Sequence, residues 1–257
     1  MQFIHSFSTP SIKFSLVCIF AAGLILSGCA GYQMSGSSGS SVSIDGEVLP
    51  DTTIQQFINP YKARLEEEMG QVIGMSAREL GKPGRGENPL GNLVADFQKE
   101  FVAEVWGIEA DISVINNGGL RTLLPKGAIT LGKVYEISPF ENYLYILELS
   151  PEDVKTLAHY TVHRQNLSIS GMHLKSSDNQ LEELLINGKP LDTNKTYLLA
   201  INDYLANGGD DMPFLIPVRR YRTSTTLIRD VIITKIKELE AAGKMIDARL
   251  EGRQLLN

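Results

Sequence analysis

The chain has 257 residues, of which 43% are hydrophobic, and a formal net charge of −6 at pH 7. This length is sufficient for one domain with a buried core. The negative charge and the lack of any long run of Lys and Arg argue against DNA or RNA as a partner.

Residues 1–28 have the organisation of a secretory signal peptide. Their apolar run, Phe14–Leu26, is shorter than the roughly 20 apolar residues that span a bilayer, and it has the length of a signal-peptide core. It closes with Leu26-Ser27-Gly28-Cys29, which resembles the bacterial lipobox. We therefore expect cleavage before Cys29, lipidation of Cys29 and a place in the bacterial cell envelope. The alternative is an ordinary secretory signal.

Residues 29–43 are dominated by Ser and Gly, which is typical of a flexible tether. Only two cysteines occur in the chain, and Cys18 falls in the segment that is expected to be removed. A mature chain whose only cysteine carries lipid has no free thiol. Disulfides, cysteine metal sites and cysteine catalysis are then excluded.

Hydrophobic periodicity and turn residues predict the elements of the first half of the domain. In chain order these are a short strand over Ile44–Asp51, a helix over Gln55–Glu68, a strand over Gln71–Ser76, a loop over Lys82–Pro89, a helix from Leu90 to Trp106 and a strand over Ala110–Asn116.

The second half continues the alternation of strands and helices. The predicted elements are a strand over Tyr143–Leu149, a helix over Pro151–His163, a hairpin of strands Leu167–Leu174 and Leu181–Ile186, a strand over Tyr197–Ile201, a loop over Pro213–Arg222, a helix over Ser224–Ala242 and a last strand near Arg249–Arg253. Because the strands often pair locally, residues 44–257 are predicted to form one α+β domain with a mixed sheet.

A glycine turn follows the strand that ends at Asn116. The segment Asn116-Asn117-Gly118-Gly119-Leu120-Arg121 is predicted to aim the Arg121 guanidinium into the space beyond the strand end. Arginine suits planar or anionic ligands because its fork donates paired hydrogen bonds. The alternative is a surface turn with a solvated arginine.

Two further segments place an aromatic residue beside polar groups. Phe140 lies in a Pro-flanked loop between strands, where it is either a loop anchor or a stacking surface. Tyr204 precedes the pair Gly208-Gly209, which is followed by Asp210. Glycines allow the chain to turn sharply and approach a ligand. The segment suits a flat ring and a sugar hydroxyl, and the alternative is a strand-to-turn junction with solvated aspartates.

His159 and His163 have the i, i+4 spacing of a two-histidine metal site on a predicted helix. No glutamate follows His159 and no third ligand is evident. A solvated helix face is the favoured interpretation, so no metal site is predicted in this chain.

Four motifs occur in a fixed order: Leu90-Gly91-Asn92-Leu93, Asn116-Asn117-Gly118-Gly119-Leu120-Arg121, Pro139-Phe140-Glu141-Asn142 and Asn202-Asp203-Tyr204-Leu205-Ala206-Asn207-Gly208-Gly209-Asp210. Together they resemble the C-terminal domain of the bacterial and animal 5′-nucleotidases. The resemblance runs from about Gly70 to Glu251. It implies the fold of that domain, which holds the nucleoside of the substrate.

The resemblance also implies roles for individual residues. In that family two aromatic rings sandwich the base, and these positions correspond to Phe140 and Tyr204, the latter standing where many members have phenylalanine. Asn142 corresponds to the residue that contacts the base, and Asp210 to the carboxylate that holds the ribose hydroxyls. Arg121 corresponds to the arginine that binds the ribose or phosphate side.

The remaining implied positions are one arginine and four glycines. The family uses further arginines before the Leu-Gly-Asn segment, and Arg85 lies near that position. Gly118, Gly119, Gly208 and Gly209 complete the expected substrate-binding set.

In the same family, hydrolysis belongs to a separate N-terminal metallophosphatase domain with two metal ions. No Asp-x-His or Gly-Asn-His-Asp metal motif occurs in this sequence. We therefore expect a nucleoside- or nucleotide-binding half of a 5′-nucleotidase-type phosphohydrolase, with no catalytic residues of its own. It would act in nucleotide catabolism with a separate metallophosphatase chain, which alone would hold divalent metals.

Two alternatives stay open at this point. The first is a non-enzymatic lipoprotein that captures nucleosides or nucleotides at the cell surface. The second is a degenerate domain that is retained as a structural module, and the complete set of Phe140, Asn142, Tyr204 and Asp210 counts against it.

Overall fold

A computed structural model describes residues 51–256 and a few isolated positions before them (36, 39–41, 43 and 49). The chain divides into two compact units, Met1–Thr52 and Thr53–Asn257, and the second carries the fold. The predicted signal peptide, Cys29 and most of the predicted tether lie outside the described residues, as does most of the predicted strand over 44–51. The described part contains no helix with the length and hydropathy that a membrane span requires.

The first half of the domain contains three helices and three strands. These are α1 (Thr52–Met69), β1 (Val72–Ser76), α2 (Pro89–Trp106), β2 (Ile112–Asn116), β3 (Gly127–Thr130) and α3 (Leu131–Ile137). A short 3-10 turn, Asn117–Gly119, directly follows β2.

The second half contains the remaining strands and helices. These are β4 (Leu144–Leu149), α4 (Pro151–Arg164), β5 (Leu167–Ser170), β6 (Met172–Ser177), β7 (Gln180–Ile186), β8 (Lys189–Pro190), β9 (Tyr197–Asn202), α5 (Asp203–Ala206), β10 (Arg219–Arg222), α6 (Ile228–Ala241) and β11 (Gln254–Leu256). The predicted α+β fold with a mixed sheet is confirmed.

The central sheet has five strands in the order β10-β4-β9-β2-β5. Strands β2 and β9 run parallel, while β4 is antiparallel to β9 and β5 is antiparallel to β2. A second sheet has the order β11-β6-β7-β8, and β1 pairs with β3 in a third. The parallel pair brings the carboxyl ends of β2 and β9 to the same edge of the central sheet.

Both faces of the central sheet are buried. Successive side chains of a strand point to opposite faces, and each face packs into its own hydrophobic cluster. In β4, for example, Leu144 and Ile146 pack into one hydrophobic cluster, which includes α2 and α6, whereas Leu147 and Leu149 pack into the other, which includes α4. The sheet is therefore a rigid base between two helical layers.

The ends of two long helices carry the capping residues that are preferred at helix ends. Helix α2 begins at the cap Asn88, whose side chain accepts a hydrogen bond from the Gly91 amide, and ends at Gly107 with φ 65°. Helix α4 begins with a capping box formed by Ser150 and Asp153. Both helices have proline in the first turn, where its missing N–H does no harm.

Two predicted strands are wrong in their extent. The final strand, predicted near Arg249–Arg253, is β11 at Gln254–Leu256. The segment predicted as a single strand over 167–174 is two strands, β5 and β6, which belong to different sheets. Gly171 separates them with φ 74°, and a Cβ there would lie 2.0 Å from the Asp111 carbonyl oxygen. Only glycine fits this change of direction.

Candidate functional site

A cleft lies at the edge of the central sheet where β2 and β9 end and β4 begins. The turn after β2, the loop before β4 and the segment after β9 all reach this edge. The pairing of Leu144 with Asn202 places the first residue of β4 opposite the last residue of β9. The three motifs that are distant in sequence therefore meet because of the sheet topology.

The cleft has a volume of about 360 Å³. Its lining consists of Asn116, Gly118, Gly119, Arg121, Phe140, Asn142, Tyr204 and Asp210. Seven of the ten residues predicted for substrate binding are in this set. Arg85, Gly208 and Gly209 are not, and Asn116 is an addition.

The two aromatic rings of the cleft are accessible to solvent. Phe140 and Tyr204 are each 45% exposed, and within the described residues neither ring contacts another aromatic ring. Large apolar rings are normally buried, so two open faces in one cleft provide surfaces for stacking a planar ligand.

A buried arginine holds the backbone of the loop that carries Phe140. The guanidinium of Arg229 donates to the carbonyl oxygens of Ser138 and Pro139, each at 3.4 Å. It also stacks over the Tyr135 ring, 4.2 Å from the centroid. Phe140 is therefore presented from a fixed backbone.

The segment that carries Tyr204 is organised by Asn202 and the glycine pair. The Asn202 side chain caps the short helix α5 by accepting a hydrogen bond from the Leu205 amide at 2.8 Å. Gly208 has φ 93°. A Cβ at Gly209 would lie 2.5 Å from atoms of the Tyr204 ring. Gly208 and Gly209 thus shape the support of the ring, and they do not line the cleft.

Asp210 is the carboxylate of the cleft. Its Oδ1 accepts a hydrogen bond from the Tyr204 hydroxyl at 2.8 Å, and its Oδ2 accepts one from Asn116 Nδ2 at 3.1 Å. The hydrogen bond to Asp210 raises the pKa of the Tyr204 phenol above its usual value, so the phenol remains a donor at neutral pH.

Arg121 and Asn142 have side-chain groups available to a ligand. One guanidinium nitrogen of Arg121 donates to the Gly118 carbonyl at 3.1 Å, and the guanidinium carbon lies 5.9 Å from the Phe140 ring centroid. Within the described residues Arg121 forms no ion pair and the Asn142 side chain has no hydrogen-bond partner. An arginine without a carboxylate partner in a cleft suits an anion.

Arg85 lies on an exposed loop beside the cleft, outside its lining. Asn117 Nδ2 donates to the carbonyl oxygens of Gly84 and Gly86, at 2.7 and 3.2 Å. The backbone on either side of Arg85 is therefore fixed to the residue that precedes Gly118. The structure brings this loop close to the turn and leaves the Arg85 side chain outside the cleft lining.

The Leu-Gly-Asn motif lies outside the cleft and packs against a strand that supports it. A Cβ at Gly91 would lie 1.7 Å from the Ser168 hydroxyl, so glycine permits the close packing of α2 on β5. Ser168 in turn donates to Asn117 Oδ1 at 2.6 Å. The motif thus supports the turn that carries Gly118 and is not part of the cleft lining.

The two spaced histidines do not form a site with other ligands. His159 and His163 are exposed on α4, and His163 Nδ1 lies 2.7 Å from the His159 carbonyl oxygen. Among the residues that the structure describes, no three His, Cys, Asp or Glu side chains are grouped so that they would hold a metal ion.

Sequence reasoning missed two kinds of supporting residue. Asn116 was visible as part of the glycine-turn motif, although its contact with Asp210 was not. Arg220, which donates to the carbonyl oxygens of Ala206, Leu215 and Val218, and Arg229 had no signal in the sequence. Each holds loop carbonyls through contacts that only the tertiary structure creates.

The cleft at the edge of the mixed sheet combines two exposed aromatic rings, a carboxylate and an arginine. Residues 66–216, more than half of the chain, match the family described as 5′-nucleotidase, C-terminal domain. The chain belongs to this family, and the resemblance that the four motifs indicated is confirmed.

Individual relatives agree with this assignment. The chain is 29% identical over 238 residues to cell wall protein Lmo0130 of Listeria monocytogenes, covering 81% of this chain and 30% of the relative. It is 25% identical over 183 residues to a 5′-nucleotidase of Vibrio vulnificus, covering 68% of this chain and 32% of that protein.

Among solved structures, a 5′-nucleotidase precursor from Thermus thermophilus matches with a TM-score of 0.67 and 27% identity, over 79% of this chain and 43% of that one. NAD nucleotidase of Haemophilus influenzae shares the fold, with a TM-score of 0.60 and 17% identity, over 80% of this chain and 41% of that one. The chain thus spans about a third of the length of these curated relatives and less than half of these solved chains.

Proposed function

We propose that this chain is the nucleoside- or nucleotide-binding half of a 5′-nucleotidase-type phosphohydrolase. A separate metallophosphatase chain would supply the catalytic metal ions and the hydrolysis. The observation that carries the proposal is the cleft itself, in which the open rings of Phe140 and Tyr204 share one space with the Asp210 carboxylate and the Arg121 guanidinium.

These groups match the three parts of a nucleotide. A base stacked on an aromatic face gains about 1–3 kcal/mol, whichever base it is. A carboxylate accepts hydrogen bonds from sugar hydroxyls. An arginine without an ion-pair partner among the described residues provides donors for a phosphate. The Asn142 side chain adds an amide that is free to contact a base edge.

The place of action that we propose is the cell envelope, with Cys29 as the lipid attachment. The lipobox-like segment Leu26-Ser27-Gly28-Cys29 supports this placement. The similarity to a cell wall protein of Listeria monocytogenes also supports it.

The binding half of the proposal is tested by calorimetric titration of the purified full-length chain with adenosine and with AMP. Phe140→Ala and Tyr204→Ala are each expected to weaken binding about tenfold or more, because each removes one stacking face. Tyr221→Ala is the matched control, since Tyr221 is 48% exposed but lies on β10 outside the cleft lining. A wild-type chain that binds neither ligand would contradict the proposal.

The partnership is tested by mixing the chain with single-domain metallophosphatases of the same organism and measuring phosphate release from AMP. The wild-type chain is expected to raise the activity of one partner, and the Phe140→Ala chain is expected not to. If the chain binds nucleosides but raises the activity of no phosphatase, the split-enzyme idea fails and the capture lipoprotein takes its place.

A further inference from the structure

The Asp210 carboxylate is held at both of its oxygens by neighbouring side chains. The Tyr204 hydroxyl donates to Oδ1 and Asn116 Nδ2 donates to Oδ2, at 2.8 and 3.1 Å. The Asp210 amide donates back to the Tyr204 hydroxyl oxygen at 3.1 Å. A phenylalanine at position 204 would keep the ring and remove two of these three contacts.

The side chain of Asn116 is itself held by a second asparagine, Asn202. It is buried, and its Oδ1 accepts a hydrogen bond from Asn202 Nδ2 at 3.1 Å. Asn202 is fully buried and caps the helix that carries Tyr204 through the Leu205 amide. The hydrogen bonds therefore form a closed path from the ring of Tyr204 through Asp210 and two asparagines back to the helix of Tyr204.

The backbone of Asp210 adopts the left-handed conformation, with φ 52° and ψ 35°. Aspartate tolerates this region better than most residues, but it still costs free energy. The Tyr160 hydroxyl donates to the Asp210 carbonyl oxygen, and Asn166 Nδ2 donates to that hydroxyl at 3.0 Å. Backbone and side chain of Asp210 are thus both constrained before any ligand arrives.

The number of acceptor positions decides what this carboxylate can still bind. An ionised carboxylate offers about four lone-pair positions, two on each oxygen. Tyr204 and Asn116 each occupy one position, on different oxygens. One position per oxygen is left for the ribose hydroxyls, which the family resemblance assigns to this carboxylate.

On this basis, and resting on the proposed nucleoside-binding function, we propose that the Tyr204 hydroxyl and the Asn116 amide are positioning groups that set the Asp210 carboxylate for a vicinal diol. They would make the site selective for ribonucleosides over 2′-deoxyribonucleosides. Tyr204 then has two separable roles, because its ring stacks on the base while its hydroxyl strengthens the preference for the ribose by holding Asp210.

The experiment compares adenosine with 2′-deoxyadenosine by calorimetric titration of the full-length chain. The wild type is expected to bind adenosine about tenfold more tightly, because one hydrogen bond to a charged group is lost with the deoxy sugar. Tyr204→Phe is expected to keep its affinity for 2′-deoxyadenosine within about twofold and to lower the ratio of the two dissociation constants about threefold, because Asn116 still holds the other oxygen of Asp210.

A second variant and a control separate this effect from misfolding. Asn116→Ala removes the other donor and is expected to lower the same ratio while the melting temperature is followed in parallel. Tyr221→Phe removes an exposed phenol hydroxyl on β10, away from the cleft, and is expected to leave the ratio unchanged.

The possible outcomes distinguish the two proposals. Failure of the wild type to bind either nucleoside would overturn the proposed function itself. Binding without any preference for the ribose, or a preference that both Tyr204→Phe and Asn116→Ala retain, would overturn only the positioning role. Equal weakening of both nucleosides by Tyr204→Phe would show a purely structural hydroxyl and would also overturn it.

Discussion

The ring of Tyr204 lies directly over the backbone of Gly209. A Cβ at position 209 would be 2.5 Å from both Cε1 and Cζ of that ring, a separation far below ordinary contact distances. The glycine therefore allows the aromatic ring to rest on the chain that continues into Asp210. This contact explains in physical terms why a glycine stands between the aromatic residue and the aspartate of the motif.

Gly209→Ala is expected to weaken adenosine binding about tenfold, because the added methyl group displaces a ring that contributes ~1–3 kcal/mol by stacking. Calorimetric titration measures the loss. Gly81→Ala is the control, since a Cβ at Gly81 would have no atom within 4 Å. Equal affinities of the two variants would show that the Tyr204 ring does not need its present position.

Arg121→Met is expected to reduce the affinity for AMP more than the affinity for adenosine. Arg121 lines the cleft without an ion-pair partner among the described residues, so its charge is available to the phosphate, and a charge-assisted hydrogen bond contributes about 1.5–3 kcal/mol. Titration of both ligands gives the ratio. An equal loss for AMP and adenosine would instead place Arg121 on the sugar or the base.

The sequence motifs meet at one cleft because each of them adjoins the end of a strand. Asn116 is the last residue of β2, and Tyr204 follows the end of β9. These two strands are parallel neighbours, so the carboxyl ends of the strands lie at the same edge of the sheet. The loop of Phe140 enters the strand that pairs antiparallel beside them. Local motifs were thus sufficient once the strands were placed correctly.

Other features depended on contacts that no local pattern shows. Strand β10 was predicted as part of a loop, because Arg219-Arg220-Tyr221-Arg222 lacks apolar alternation, and it forms an edge strand beside β4. The helical spacing of Phe57, Tyr61 and Leu65 predicted α1 correctly, yet these side chains are exposed. The helical spacing therefore predicted the helix correctly but did not show whether its apolar side chains are buried.

Arg220 holds the segment between α5 and β10 through its guanidinium group. Its nitrogens donate to oxygens of five residues, namely Ala206, Asn207, Leu215, Ile216 and Val218. These residues flank Gly208, Gly209 and Asp210 on both sides. The guanidinium thus closes the loop that carries the carboxylate of the cleft.

Arg220→Met is expected to lower the free energy of unfolding by about 2 kcal/mol, since hydrogen bonds to a charged group are lost from several carbonyls. It should also weaken adenosine binding, because the Asp210 loop loses its support. Arg219→Met is the matched control, as Arg219 pairs with Glu148 at the surface, which contributes less than about 1 kcal/mol. Urea unfolding compares the two variants, and equal midpoints would contradict the role of Arg220.

Lys235 of α6 connects this helix to α2 through ion pairs. Its side chain is only 7% exposed, and its Nζ lies 3.1, 2.8 and 2.8 Å from carboxylate oxygens of Glu100, Glu104 and Glu238. Burial by itself lowers the pKa of Lys235, but hydrogen bonds to the three glutamates outweigh burial and hold the pKa above its usual value. The ammonium is therefore charged throughout the neutral range.

Lys235→Met is expected to destabilise the fold by about 1–2 kcal/mol, because three carboxylates lose their shared cation. A folded-state pKa above the unfolded value of about 10.4 means that this stabilisation is complete below pH 10.4 and is lost as the pH rises through the folded pKa. The difference in unfolding free energy between wild type and variant should thus be constant from pH 6 to 9 in urea titrations. Lys237→Met, on the exposed face of the same helix, controls for the change in net charge. A loss of equal size in both variants, or a difference that declines between pH 6 and 9, would contradict the ion cluster.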